Sequence, residues 1–199
     1  MWSEAIDLIT RAALTSSTSS DFDLNPELAH EKDGPMRSAA VLVAFWQRPN
    51  GLQVILTKRS SHLKHHPGQI AFPGGKLDPT DADARAAALR ESQEEIGLSS
   101  DLVTVVGQLA THLTVTGFSV TPILGFVRHD FIACPEVGEV EEVFPVPLEH
   151  LLNLENYSIE HRIWRGQLRK FYVVPYGPYY IWGATARILY SLACRVNLC

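Results

Sequence analysis

One segment constrains this chain more than any other: "FPGGKLDPTDADARAAALRESQEEIGL", residues 72–98. A Pro-Gly-Gly turn is followed by a run of small, strong helix formers, so a tight bend must feed directly into a helix. Asp81 or Asp83 can cap that helix through "ARAAALRESQEEI", and Gly97 can end it with a left-handed residue. At about 100° per residue, Glu91, Glu94 and Glu95 fall within an arc of roughly 100°. Carboxylates held that close repel one another, so this face either sits in water or holds a cation. A hard divalent cation such as Mg²⁺ takes oxygen ligands and substrate phosphates, and Arg90 is placed to orient one carboxylate through a two-point contact. Gly74 and Gly75 let the backbone approach a ligand closely and bring amide donors toward phosphate oxygens. The loop is no Walker motif, because Leu77 follows Gly75-Lys76 where Ser or Thr is required and Ile70 occupies the first glycine position.

Composition narrows the classes. A chain of 199 residues fits one domain with a single compact core. With 17 basic and 22 acidic residues, a formal charge of -5 gives no footprint for nucleic-acid binding, while a local basic patch would still serve a small anionic substrate. Cys134, Cys194 and Cys199 form no C-x-x-C pair, which argues against a disulfide framework or a cysteine zinc site and for a reducing compartment. The acidic start "MWSEAIDLITRAAL" lacks a secretory pattern, "AAVLVAFW" at 39–46 is too short to cross a bilayer, and the terminal "NLC" is not a peroxisomal address. The expected location is the cytoplasm, with no membrane partner.

Trp2, Ile6, Ile9 and Ala13 sit near helical spacing, and the polar "TSSTSSDFDLNP" reads as a loop, so residues 1–36 are expected to form an N-terminal helix and polar linker ahead of a domain at 37–199. Strands are expected at "AAVLVAF" and "LQVILTKR", joined as a hairpin at Pro49-Asn50-Gly51, and at "LVTVVGQL", "VTPILGFV" and "EVFPVPL". Pro122, Pro145 and Pro147 restrict the last two to edges, strand ends or bulges. "RIWRGQLRKFYVVPY" reads as a second hairpin around Arg165-Gly166, and "GATARILYSLA" as a closing helix. Irregular interleaving of strands and helices predicts an α/β or α+β sandwich and not a doubly wound sheet.

The joint spacing of the glycines and Arg90, Glu91, Glu94, Glu95, Gly97 and Leu98 resembles the Nudix box, Arg-Glu-x-x-Glu-Glu-x-Gly plus an apolar residue. The likeness implies a Nudix-type α/β/α sandwich with a mixed central sheet, and a pyrophosphatase acting on a nucleoside diphosphate linked to another moiety. Two departures stand out: Gly75 to Arg90 is one residue longer than usual, leaving Asp81 or Ala82 where the signature has its first Glu, and Ser92 replaces an aliphatic residue. Upstream, "ILTKRSSHLKHHPGQIAFPGGK", residues 55–76, is similar to the additional motif of coenzyme A diphosphatases within that superfamily. The resemblance covers roughly residues 37–190 and implies hydrolysis of CoA or acyl-CoA with Mg²⁺ or Mn²⁺ as cofactor.

On that reading Glu91, Glu94 and Glu95 bind the metal, with Glu139 favoured over Glu142 as a further ligand and a box glutamate favoured over any histidine as base. Lys58, Arg59, Lys64, His65, His66, Gln69, Gly74 and Gly75 form the substrate groove, since CoA carries a diphosphate and a separate 3′-phosphate. His62, His65 and His66 otherwise read as a polar loop, because no cysteine or carboxylate at zinc spacing accompanies them. Tyr179, Tyr180, Trp182 and Arg187 either contact the ligand or close the core. ADP-ribose, NADH or a nucleoside triphosphate are alternative substrates, and a sensor that has lost catalysis is the alternative of another class. The partner is a small molecule, with a homodimer suggested by family likeness alone.

Overall fold

The computed structural model describes residues 2–14, 19–31, 34–164 and 166–198. Helix α1 (Trp2–Leu14) leads to the short strand β1 (Ser19–Ser20). Strands β2 (Arg37–Arg48), β3 (Gly51–Arg59), β4 (Ile70–Ala71) and β5 (Gly74–Lys76) precede helix α2 (Ala84–Ile96). Then come β6 (Val103–Gln108), β7 (His112–Leu113), β8 (Phe118–Val127), β9 (Val140–Pro147), the short helix α3 (Leu148–Leu152), the hairpin β10 (Ser158–Trp164) and β11 (Gln167–Val173), and helix α4 (Ala184–Leu198).

The large sheet is mixed: β2 runs parallel to β8 and antiparallel to β3, and β9 lies antiparallel along β3. Alternation along β2 sends side chains to two cores. Val43 and Phe45 enter a cluster with Ile9, Ala12, Leu148, Leu151, Ile188 and Leu192, which brings α1, α3 and α4 onto one face. Ala40, Leu42 and Ala44 enter a second cluster with Ala87, Ala88 and Ile96 of α2 on the other. Helices therefore cover both faces, and the predicted α/β/α sandwich is the observed architecture.

Both hairpins form as expected, with Arg48 paired to Gly51 across the first turn and Trp164 to Gln167 across the second; Arg165 lies outside the described residues. Ile9 of α1 is buried as its spacing predicted, while the side chain of Trp2 lies outside the described residues. Asp83, not Asp81, is the N-cap of α2, accepting from the Ala86 amide, and Gly97 ends the helix at φ 71°.

Two expectations need correction. β8 is interior despite Pro122: it pairs with β2 on one side and with β7 and β6 on the other. The Pro122 carbonyl accepts from the Leu109 amide, where the neighbour changes from β7 to β6, so the missing N–H falls at that junction instead of interrupting a ladder. The polar N-terminal segment is also more than a loop. Residues 15–18 lie outside the described residues, but Ser19 and Ser20 pair with β7, and Asn25 bonds both the amide and the carbonyl of Lys170 in β11. Asp21 is buried between Arg169, 2.9 Å away, and His112, 3.2 Å away.

Candidate active site

The site is built where β5 passes under α2. Gly75 pairs with Ala40 of β2, and a Cβ on it would lie 2.5 Å from the Glu91 carboxylate, so glycine here lets that carboxylate rest against the strand. The Gly74 amide donates to Glu95 Oε2 at 2.9 Å. This N–H of the bend is thus engaged by the helix carboxylate.

Arg90 organises the outer half of the cluster. Its Nε and Nη2 grip Asp81 at 3.0 and 2.9 Å, and its Nη1 reaches Glu91 at 3.1 Å and Glu94 at 2.8 Å. The longer glycine-to-arginine spacing is thus absorbed in the loop, and Asp81 fills the role left open between it and Ala82. Ser92 is fully buried and donates to the Ala88 carbonyl at 2.6 Å, which satisfies its hydroxyl in a position otherwise suited to an aliphatic residue.

The three glutamates share one helix face but fan outward: the side chain of Glu95 is buried, Glu91 is 18 % exposed and Glu94 58 %. Among the described residues no three His, Cys, Asp or Glu side chains already converge as a metal cluster, because Arg90 holds two carboxylates and Gly74 the third. The donor chemistry nevertheless fits a hard cation. Burial pushes the Glu95 carboxyl up to about 7 against the opposing Gly74 N–H, with the charges of Glu91 and Glu139 adding to the rise. Burial likewise raises Glu91, and Glu94 and Glu139 add to it. Such crowded negative charge is what a divalent ion offsets.

The exposed Glu139 stands within electrostatic range of Glu91 and Glu95. Its neighbours face elsewhere: Glu141 pairs with Lys58 Nζ at 2.6 Å, and Glu142 accepts from the Tyr179 hydroxyl at 2.6 Å. A register shift between Lys58 and Arg59 breaks the simple alternation expected along β9. Lys58 is thus committed to an acidic partner.

Arg59 lies close enough to Glu95 for its charge to oppose the rise in that carboxyl's pKa, and its amide and carbonyl close the following loop onto Gln69 and Gly68. In that loop Lys64, His65 and His66 are exposed, and His66 has the left-handed φ of 55°. Gln69 approaches Gly183, where a Cβ would lie 3.8 Å from its Nε2. Tyr179 stacks on Phe144 with ring centroids 3.6 Å apart, Tyr180 bonds Glu160, and Trp182 meets Phe171 edge-on. Arg187 pairs with Asp23 at 2.6 Å. Sequence motifs gave no signal for the Asp21, His112 and Arg169 cluster, whose members are 91 and 148 positions from Asp21.

Comparison with known proteins agrees with this geometry. A family model described as the NUDIX domain matches residues 36–164. Relatives described as "Uncharacterized Nudix hydrolase NudL" from Salmonella paratyphi B and Salmonella newport are 41 % identical over 176 residues, covering 88 % of this chain and 90 % of theirs. The crystal structure of the MutT protein from Methanosarcina mazei is similar at TM-score 0.55 and 20 % identity, over 83 % of this chain and 98 % of that one. The NUDIX domain of Shewanella oneidensis NrtR, solved with ADP ribose, is similar at TM-score 0.50 and 16 % identity, over 88 % and 99 %. These two likenesses are of fold, and no helix among the described residues is long and apolar enough to cross a membrane. With the box residues gathered on α2 and the family match spanning most of the chain, this protein belongs to the Nudix hydrolase family.

Proposed function

We propose that the chain hydrolyses the pyrophosphate bond of coenzyme A or an acyl-CoA, giving 3′,5′-ADP and 4′-phosphopantetheine or its acylated form. One observation carries the reading. The segment 55–76, which resembles the CoA diphosphatase motif, runs as one strap from β3 to the Gly74-Gly75 bend and sets Arg59 in electrostatic range of Glu95. Diphosphate recognition and the carboxylate cluster are thus adjoining parts of one chain segment.

Glu91, Glu94 and Glu95 would hold Mg²⁺ or Mn²⁺, with Glu139 beside them. When bound, the ion supplies charge neutralisation at the phosphates and acidifies a water. Arg90 orients Glu91 and Glu94, Gly74 fixes Glu95, and Arg59 with the Lys64–Gln69 loop binds substrate anions. A box glutamate is our choice for the group that accepts the water proton.

To test this, the purified chain is incubated with CoA and Mg²⁺ or Mn²⁺ beside a panel of ADP-ribose, NADH and nucleoside triphosphates. The expected product is 3′,5′-ADP, with CoA the preferred substrate. Turnover no greater than that of a Glu94→Gln, Glu95→Gln double variant, or strong preference for ADP-ribose, would refute the substrate.

A further inference from the structure

A group of cations outside α2 and the strap is left without a chemical role. Arg162 of β10 stands directly across from Arg169 of β11, a like-charge pairing that weakens a bare hairpin. Arg169 is buried and donates from Nη2 to Asp21, yet its Nε has no hydrogen-bond partner. Arg162 is exposed, its guanidinium 4.3 Å from the centroid of Trp182 and 5.9 Å from that of Phe171. Among the described residues no carboxylate forms an ion pair with it. A guanidinium fixed on an indole, with its N–H groups free, presents a planar donor edge for a phosphate.

Trp182 connects this arginine to the strap, because its neighbour Gly183 abuts Gln69. Gln69 in turn bonds His66, an exposed residue whose imidazole is partly desolvated; that desolvation, with the charges of Arg59, His65 and Arg169, lowers its pKa against the Gln69 bond. Arg59 and Arg169 both lie within electrostatic range of His66, and Arg162 stands across from Arg169, so the hairpin cation is linked to the strap by neighbouring positive groups.

We propose that Arg162, held on Trp182, is a specificity-determining residue that binds a phosphomonoester on the ribose of the substrate, apart from the diphosphate at α2. The inference rests on the coenzyme A reading for the 3′ position of that phosphate; a ribose 2′-phosphate has the same chemistry.

Calorimetric titration of the full chain with 3′,5′-ADP, 2′,5′-ADP and 5′-AMP reads this subsite without turnover. The wild type should bind 3′,5′-ADP about tenfold tighter than 5′-AMP. Arg162→Gln should erase that margin and leave 5′-AMP unchanged, and Arg162→Lys should restore part of it. In turnover, Arg162→Gln should raise KM for CoA about tenfold at constant kcat and leave 3′-dephospho-CoA unaffected. A wild type indifferent to the 3′-phosphate, or a margin that persists in Arg162→Gln, overturns the assignment. Tighter binding of 2′,5′-ADP overturns the 3′ position alone. Loss of the margin in Arg162→Gln from a protein that does not hydrolyse CoA upholds the subsite and overturns the proposed reaction.

Discussion

Replacing Gly75 by alanine separates the chemistry of this site from its stability. The added Cβ would lie 2.5 Å from Cδ and Oε1 of Glu91 and 2.6 Å from Oε2. Carbon and oxygen at ordinary contact need about 3.5 Å, so the carboxylate must retreat by roughly 1 Å. The obstacle is the end of a flexible side chain, and the backbone at Gly75 lies outside the positive-φ region, so the fold can absorb the change at about 1 kcal/mol or less. On the metal-binding role proposed for Glu91, displacing its carboxylate by that distance should lower kcat about 10²-fold, or some 2.7 kcal/mol on the barrier. Gly74→Ala should behave in the opposite sense. Its Cβ would run into the Ala40 carbonyl oxygen and lie 2.6 Å from Val41 Cα, from a backbone at φ 150°, and β2 cannot yield. That variant should lose several kcal/mol in urea unfolding. Turnover of the preferred substrate, measured beside denaturant unfolding of both variants, decides it. Wild-type kcat in Gly75→Ala, or equal destabilisation by the two substitutions, would show that the close approach of β5 to Glu91 is not what sets the site.

Asp81→Asn should reduce turnover about tenfold, because Arg90 would then orient Glu91 and Glu94 from a looser seat; unchanged kinetics would demote the ion pair to loop geometry. Asp21→Asn should cost about 3 kcal/mol at pH 7 by leaving Arg169 buried without its counter-charge. Burial raises the Asp21 pKa, but His112, Arg169 and the Val115 amide outweigh it and the net shift is below the ordinary 3.8. The stabilisation is therefore present above about pH 4 and fades as pH falls through the depressed folded value, so the difference between wild type and Asp21→Asn should narrow in acid unfolding below pH 4. Removal of divalent ions by EDTA should abolish hydrolysis, with recovery on adding Mg²⁺ or Mn²⁺; full activity in excess chelator would contradict the assigned role of the glutamates.

What was legible in the sequence is local. The α2 limits, its Gly97 terminus, both hairpins and the shared face of Glu91, Glu94 and Glu95 follow from periodicity and turn chemistry within a few residues. Side-chain direction on that face was not legible, because it depends on Arg90 and on the Gly74 amide of another element. Pro122 misled for a related reason: a proline forbids one donor, and whether that donor matters depends on which strand lies opposite. The burial of Asp21 required partners from β7 and β11, a pairing that no spacing rule contains.

The central ladder has a kinetic consequence. Residues 37–46 align with 118–127, so partners 81 positions apart meet across a connection, residues 49–117, that includes the glycine bend and the whole of α2. Closing so distant a contact is entropically slow, and a nascent chain must have emerged beyond β8 before it can do so. Catalytic competence should therefore arrive late and all at once during folding, and fragments ending before residue 118 should carry every glutamate of the box yet remain inert.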